Sequence, residues 1–248
     1  MGKRVQGKVC LVLGATSGIG RAAVARLAEE GGRIVFGARR AEKGKEFETQ
    51  LKNSGYEVEF IQTDVTKSAD LQHIVDATIK KYGRIDVLFN NAGVSVFKPF
   101  LELTMDEYDK IQNLNMRSYF ESCKLVVPYM VKQKSGSIIN TSSIGGIVGS
   151  PLLTAYSASK GAVRLFTKAL ASELGEYNVR VNSLHPGLTM TEMTEGQDEF
   201  IKIASAIIPM KRAASATEIA NGVVFLASDE SSFMSGSELV IDGGATAI

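Results

Sequence analysis

Two cysteines and two histidines among 248 residues leave this chain few means of cross-linking itself or holding a metal. Cys10 and Cys123 cannot build a disulfide framework, and Cys10 stands in an apolar run where a buried, inert thiol is expected. His73 lies in a polar helical stretch and should be solvated, while His185, directly before Pro186, reads as a structural histidine. Neither has Asp, Cys or His at ligand spacing, so no metal site is expected. Charge of one sign is also missing: 28 Lys and Arg stand against 27 Asp and Glu. That balance argues against nucleic acid or a membrane surface as partner. Long hydrophobic runs are absent too. Val9–Leu13 is too short for a signal peptide and no stretch approaches a membrane span. Gln6 stands where a myristoylation pattern needs Ser or Thr, so the expectation is a cytoplasmic protein. Without a Pro/Gly-rich linker, a repeat or a low-complexity tract, residues 1–248 read as one domain, and 44% hydrophobic residues suffice for its core.

What is present is a regular alternation. Short β-branched runs at Val9–Leu13, Arg33–Phe36, Glu57–Ile61, Asp86–Phe89, Ser137–Asn140, Val179–Leu184 and Glu238–Ile241 read as strands. Helical patterns lie between them, near 21–30, 41–53, 68–82, 104–133, 155–175 and 216–228. Runs such as Val-Cys-Leu-Val-Leu are apolar on every residue, as expected of strands covered by helices on both faces. The pattern predicts an α/β fold: a doubly wound parallel sheet of about seven strands with right-handed crossovers. The order breaks only at about 187–212, which reads as a substrate lid.

Directly after the first strand comes Gly14-Ala15-Thr16-Ser17-Gly18-Ile19-Gly20, opening a helix. Glycines allow a tight turn and let backbone N–H groups approach a pyrophosphate at the helix N-terminus, so a dinucleotide is expected here. The second strand ends in Gly37-Ala38-Arg39-Arg40. An NAD site usually carries an acid at this distance past the turn to bind the ribose 2′-hydroxyl, whereas here the place belongs to Ala38. A 2′-phosphate would meet no repelling carboxylate. Arg39 is expected to clamp it and Arg40 to lie against the adenine, so NADP(H) is the preferred cofactor, with NAD(H) the alternative.

The run Tyr156-Ser157-Ala158-Ser159-Lys160 lies in a predicted helix, where a four-residue gap puts phenol and ammonium on one face. A lysine beside a phenol favours the phenolate, bringing proton transfer nearer neutral pH. Interconverting an alcohol and a ketone needs such a group.

Together these residues resemble the short-chain dehydrogenase/reductase family over essentially the whole chain. The motifs stand in that family's order: the glycine turn, Asp64-Val65, Asn90-Asn91-Ala92-Gly93, Asn115, Ser143, Tyr156 with Lys160, and Pro186-Gly187. The resemblance implies a Rossmann-type sheet and hydride transfer from the pro-S face of the nicotinamide. It implies that Ser143 bonds the substrate oxygen and that Tyr156 is the general acid/base. Lys160 would hold the nicotinamide ribose, and Asn115 would anchor a water in a proton relay. Spacing favours Ser143 over Ser142, and Asn113 competes with Asn115. The resemblance further assigns Asp64 and Val65 to the adenine, Asn90, Ala92 and Gly93 to the cofactor ribose, Pro186, Gly187 and Thr189 to the carboxamide, and Thr191 to the phosphates. One departure is Leu13, where the family usually has a Thr that braces the turn.

The family's long helices pair between subunits, so a homotetramer is expected. The 182–189 stretch resembles hydroxysteroid and bulky-alcohol dehydrogenases. The residues Met190, Met193, Phe200, Ile203, Ile207, Ile208 and Met210 would make the lid apolar and adaptable. A secondary alcohol or ketone is the expected small-molecule partner. The alternative is a 3-oxoacyl thioester on acyl carrier protein, docked by Lys124, Lys132 and Lys134. A reading of another class is a non-catalytic NADP(H) sensor, against which the intact catalytic set argues.

Overall fold

The computed structural model describes residues 3–192, 196 and 198–247, and of Phe200 the backbone only. Met193 therefore lies outside the described residues. Seven parallel strands make the main sheet: β1 (Val9–Leu13), β2 (Arg33–Ala38), β3 (Val58–Gln62), β4 (Val87–Asn90), β5 (Gly136–Thr141), β6 (Val179–Pro186) and β9 (Glu238–Ile241). Their spatial order is β3-β2-β1-β4-β5-β6-β9. The chain winds outward from β1 in one direction and from β4 in the other. A crevice therefore opens above the carboxyl ends of those two neighbours, where such sheets bind ligands. A second, two-stranded parallel piece pairs β7 (Thr189–Met190) with β8 (Ala214–Ser215) inside the 187–212 region and its border.

Helices cover both faces. On one side α1 (Gly18–Glu29), α2 (Ala41–Asn53) and α8 (Ala216–Ala227) bury Val24, Leu27, Phe47, Ile219 and Val223 against Val12, Phe36 and Leu184. On the other, α3 (Ser68–Tyr82), α5 (Ser118–Gln133) and α6 (Thr154–Leu174) bury Leu71, Ile74, Val126, Met130 and Leu174 against Leu11, Leu88 and Ile138. The fully apolar strands are thus explained by two oily layers. Close approach dictates one glycine. A Cβ on Gly44 would stand 2.2 Å from the Phe60 ring, so any side chain there would lift α2 off the sheet.

Two helix boundaries differ from expectation, and both matter for the site. The first helix starts at Gly18 rather than near residue 21, because the end of the glycine turn is itself the first helical turn. The expected single helix over 104–133 has three parts. α4 (Met105–Gln112) starts from a capping box made by Thr104 and Glu107, a π-helical turn occupies Asn113–Arg117, and α5 follows. A π turn holds one residue more than an α turn and commonly sits at functional sites. Here it carries Asn115 into the interior with no exposed surface, while Asn113 faces solvent. A further helix, α7 (Asp198–Ile207), lies in the irregular 187–212 stretch.

Candidate active site

The glycine turn leaves β1 and enters α1 with its backbone packed against the end of β4. Gly14 has φ +83°, and a Cβ there would lie 2.6 Å from the Ala92 backbone. A Cβ on Gly20 would lie 2.1 Å from the Gly14 carbonyl. These close approaches reserve positions 14 and 20 for glycine and leave a cradle open above the N-terminus of α1. Asn91 Nδ2 donates to the Gly14 carbonyl at 2.9 Å, and the Gly14 N–H donates to Gly37 O at 2.8 Å. The turn is braced in this way although Leu13 replaces the usual threonine. Thr191 packs over it, with its side chain 3.1 Å from where a Gly18 Cβ would be. The residues fit a dinucleotide's pyrophosphate.

At the adenosine end, Ala38 lines the cleft beside Arg39, Arg40, Thr63 and Val65. Arg40 does not lie free for stacking on an adenine. Its Nη2 donates to Ser17 Oγ at 2.7 Å and to Thr16 Oγ1 at 3.2 Å, and its Nη1 pairs with Glu192. Arg39 is exposed at the end of β2. Asp64 is absent from the cleft wall: its carboxylate accepts from the Thr66 N–H at 3.1 Å and the Thr66 hydroxyl at 2.7 Å. That local turn, with Arg39 and Lys67 nearby, outweighs burial and lowers its pKa. Asn90 is also misplaced by the sequence reading. Its side chain is fully buried, donating to Asn140 Oδ1 at 2.9 Å and accepting from Ser122 Oγ at 2.7 Å, so it ties strands to α5. Its neighbour Asn91 lines the cleft instead, with Ala92 and Gly93.

The opposite wall brings the polar set together. Ser143 caps a short turn, its Oγ accepting from the Gly145 N–H at 3.0 Å, and its hydroxyl is close enough to the Tyr156 phenol to lower its pKa. Ser142 points elsewhere, donating to the Lys160 carbonyl at 2.8 Å inside the fold. His185 braces the serine from beneath: Nδ1 lies 2.9 Å from Ser143 O and Nε2 lies 2.8 Å from Ser183 Oγ. Burial lowers its pKa, so near neutrality the ring is uncharged and structural. Lys160 Nζ donates to Thr141 O at 2.7 Å and sits 5.8 Å from the Tyr156 ring centre and 5.4 Å from that of Tyr119. Two aromatic faces thus flank the ammonium. Asn115 stands behind this wall. It accepts from the Val94 N–H at 2.8 Å and donates to Val94 O at 2.9 Å and Ser159 Oγ at 3.0 Å, clamping the 92–94 loop to α6.

Electrostatics follow from this burial. Desolvation draws Lys160 down to about 7. It pushes the Tyr156 phenol up, and the Ser143 hydroxyl draws it partly back. Burial and the Ser143 hydroxyl, rather than Lys160, set the direction of the phenol's shift. The sequence reading also missed Tyr119 and Thr141, which hold Lys160. Tyr119 is four residues after Asn115, the one signal that could have found it.

Cradle and wall bound one cleft of about 1040 Å³. Gly14, Thr16, Ser17, Gly18 and Ile19 line its nucleotide end, with Gly20 behind them, and Ser143, Tyr156 and Lys160 line the other. Pro186, Gly187, Thr189 and Thr191 form its edge, joined by Phe97, Ile144, Leu153 and Leu188. Among the described residues expected in the lid, Ile207 and Ile208 reach the cleft.

A family model described as enoyl-(acyl carrier protein) reductase matches residues 14–246. A cyclopentanol dehydrogenase of Comamonas testosteroni is 41% identical over 247 residues, 98% of this chain and 99% of the relative. The 3-oxoacyl-[acyl-carrier-protein] reductase FabG of Thermotoga maritima is 40% identical over 242 residues, 97% of this chain and 98% of the relative. An NADP-dependent (R)-specific alcohol dehydrogenase of Lentilactobacillus kefiri is 38% identical over 253 residues, covering 100% of both. The crystal structure of gox2181 superposes with a TM-score of 0.96 at 29% identity, covering 99% of this chain and 98% of that one. With matches of this extent joined to the glycine cradle and the facing polar wall, the chain belongs to the short-chain dehydrogenase/reductase family and is an oxidoreductase that works with a nicotinamide dinucleotide.

Proposed function

We propose that this chain interconverts a secondary alcohol and its ketone, using NADP(H) in preference to NAD(H). The observation that carries the reading is that Ser143, Tyr156 and Lys160 share one wall of the cleft whose far end is the glycine cradle. When bound, the nicotinamide cofactor supplies or takes the hydride. The protein's part is charge and protons. A carbonyl gaining hydride builds negative charge on oxygen, and two positioned hydroxyls, on Ser143 and Tyr156, meet that charge. Tyr156 gives the proton in reduction and takes it in oxidation. Lys160 holds the nicotinamide ribose and, once charged, favours the phenolate. Asn115 sets the loop and helix between which the proton leaves by water. Gly14 to Gly20 and Thr191 hold the phosphates, Val65 the adenine, Ala92 and Gly93 the ribose, and Pro186 to Thr189 the carboxamide.

NADP(H) is supported by the missing acid at Ala38, by Arg39 and Arg40 beside it, and by the Lentilactobacillus relative. A bulky, ring-shaped alcohol such as a hydroxysteroid is supported by the apolar side chains of Phe97, Ile144, Leu153, Leu188 and Ile207, and a cyclic alcohol by the Comamonas relative. The second reading, a 3-oxoacyl thioester on acyl carrier protein, is favoured by the Thermotoga relative. Against it, Lys132 and Lys134 stand where α5 turns into the start of β5, at the end of the sheet opposite the cleft. A non-catalytic sensor would not need the hydroxyl pair. We also read one domain, with 187–212 as the lid, in a cytoplasmic protein.

Absorbance at 340 nm, followed with NADPH or NADH against cyclic ketones, ketosteroids and a 3-oxoacyl thioester, tests all three. Turnover of a cyclic ketone with NADPH is the expected result. Preference for the thioester would move the assignment to the second reading, and no turnover with any of them would favour the sensor. Arg39→Asp should raise the KM for NADPH far more than that for NADH, and equal rises would remove the arginine from the 2′-phosphate argument.

A homotetramer is supported by apolar side chains left outside: Leu165 on α6, Phe120 on α5, which packs on the half-buried Phe166, and Phe233 before β9. Light scattering at micromolar concentration should give four times the 26.7 kDa chain mass, and a monomer mass would oppose it.

A further inference from the structure

Among the described residues lining the cleft, Glu192 is the only acid, and it does not stand on the catalytic wall. It sits at the adenosine end, where its two carboxylate oxygens bridge two cations. One oxygen pairs with Arg40 Nη1, and the other accepts from Lys43 Nζ at 2.9 Å. Arg40 is held on its far side by the Ser17 and Thr16 hydroxyls of the glycine turn, so the bridged pair lies beside the pyrophosphate cradle. Lys43 belongs to the first turn of α2, which begins just after Arg40.

One carboxylate spanning a guanidinium and an ammonium is the arrangement that two oxygens of a phosphate monoester would adopt. Glu192 is held firmly ionised by the two cations, its pKa drawn down to about 2. All three side chains are nonetheless well exposed, at 43%, 52% and 39% for Arg40, Lys43 and Glu192. An ion pair that open to water is weak and readily exchanged for a stronger anion. With no acid at Ala38, the repulsion that would keep a 2′-phosphate out is absent from the usual position and present instead at Glu192.

We infer that Glu192 is a specificity-determining residue: its carboxylate occupies the two cations that the 2′-phosphate of the dinucleotide takes, and only a nucleotide carrying that phosphate displaces it. The inference builds on the NADP(H) reading and deepens it. Arg40 and Lys43 join Arg39 as the phosphate's holders, and Glu192 becomes an internal competitor that lowers the affinity for NADPH while leaving NADH nearly untouched.

Fluorescence titration of NADPH and of NADH into the wild-type chain and Glu192→Gln, with no substrate, reads this directly. Glu192→Gln should tighten NADPH about threefold to fivefold, the range expected for a half-exposed ion pair, and shift NADH by less than about 1.5-fold. Lys43→Met in the Glu192→Gln background should reverse most of the NADPH gain. An equal shift for both nucleotides, or none, overturns the role of Glu192 whatever the wild type prefers. A wild type that binds NADH more tightly, yet gains NADPH affinity on Glu192→Gln, overturns the NADP(H) preference and upholds the competitor.

Discussion

Tyr156→Phe should lower kcat by about 10²–10⁴, the usual range for removing a general acid/base, while the Kd for NADPH stays unchanged. The reason lies in what the phenylalanine keeps. Its ring still faces the Lys160 ammonium, whose centre lies 5.8 Å away, and still fills the wall between Ser143 and α6. Only the hydroxyl goes, and with it the one group that can both stabilise charge on the substrate oxygen and exchange a proton with it. Ser143 stays and still bonds the oxygen, so the residual rate should exceed that of a Ser143→Ala, Tyr156→Phe double variant. Stopped-flow turnover and a fluorescence titration check the two halves separately. A variant that turns over like the wild type would remove Tyr156 from the chemistry, and one that fails to bind NADPH would make its role one of architecture.

Lys160→Met should stabilise the fold and abolish its use. In an unfolded chain this lysine holds its proton up to 10.5, whereas burial in the cleft wall draws it down to about 7. Between those two pH values the unfolded chain binds the proton and the folded chain releases it. Stability therefore rises with pH across that window, and the full burial penalty applies below pH 7. Methionine fills the same slot with no charge to desolvate, losing the bond to Thr141 O and the ammonium's contacts with the Tyr119 and Tyr156 rings. Replacing buried ion pairs by apolar groups of similar volume is often neutral or stabilising by ~1–4 kcal/mol, and the gain here should fall within that range. Urea titrations at pH 7 and pH 9 should show Lys160→Met the more stable at pH 7, with a smaller rise towards pH 9. NADPH binding should weaken and turnover fall at least 100-fold, by analogy with the loss of other groups that tune an acid/base. A pH slope identical in both proteins would mean that the ammonium is solvated and that its pKa is ordinary.

The strands and the cradle were readable because their causes are local. Val9–Leu13 is apolar on every residue only if both faces are covered, and Gly14, Gly18 and Gly20 stand where side chains would collide with backbone. The misplaced residues are those whose role depends on which way one side chain turns at the end of an element. Asn90 and Asn91 are adjacent at the end of β4, and alternation sends one into the network with Asn140 and the other towards Gly14. Arg39 and Arg40 are likewise adjacent, and only the folded turn shows that Arg40 reaches Ser17. Asp64 has its own hydrogen-bond partners two residues away, which no motif reveals. Glu192 escaped notice because its partners lie about 150 positions earlier in the chain, beyond any local pattern.

The π turn at Asn113–Arg117 sets a limit on how this sequence can shorten. Deleting one residue there would let α4 and α5 run on as an ordinary helix, an apparent gain in regularity. The π turn takes up its extra residue locally, so α4 and α5 would keep their faces, and the deletion would remove only the bulge that carries Asn115 inward. Ile111 would stay in the core, but Asn115 would lose the place from which its carboxamide holds Val94. Length in this helix is therefore under tighter constraint than composition, and homologous chains should tolerate substitutions at Leu114 or Met116 far more readily than a gap.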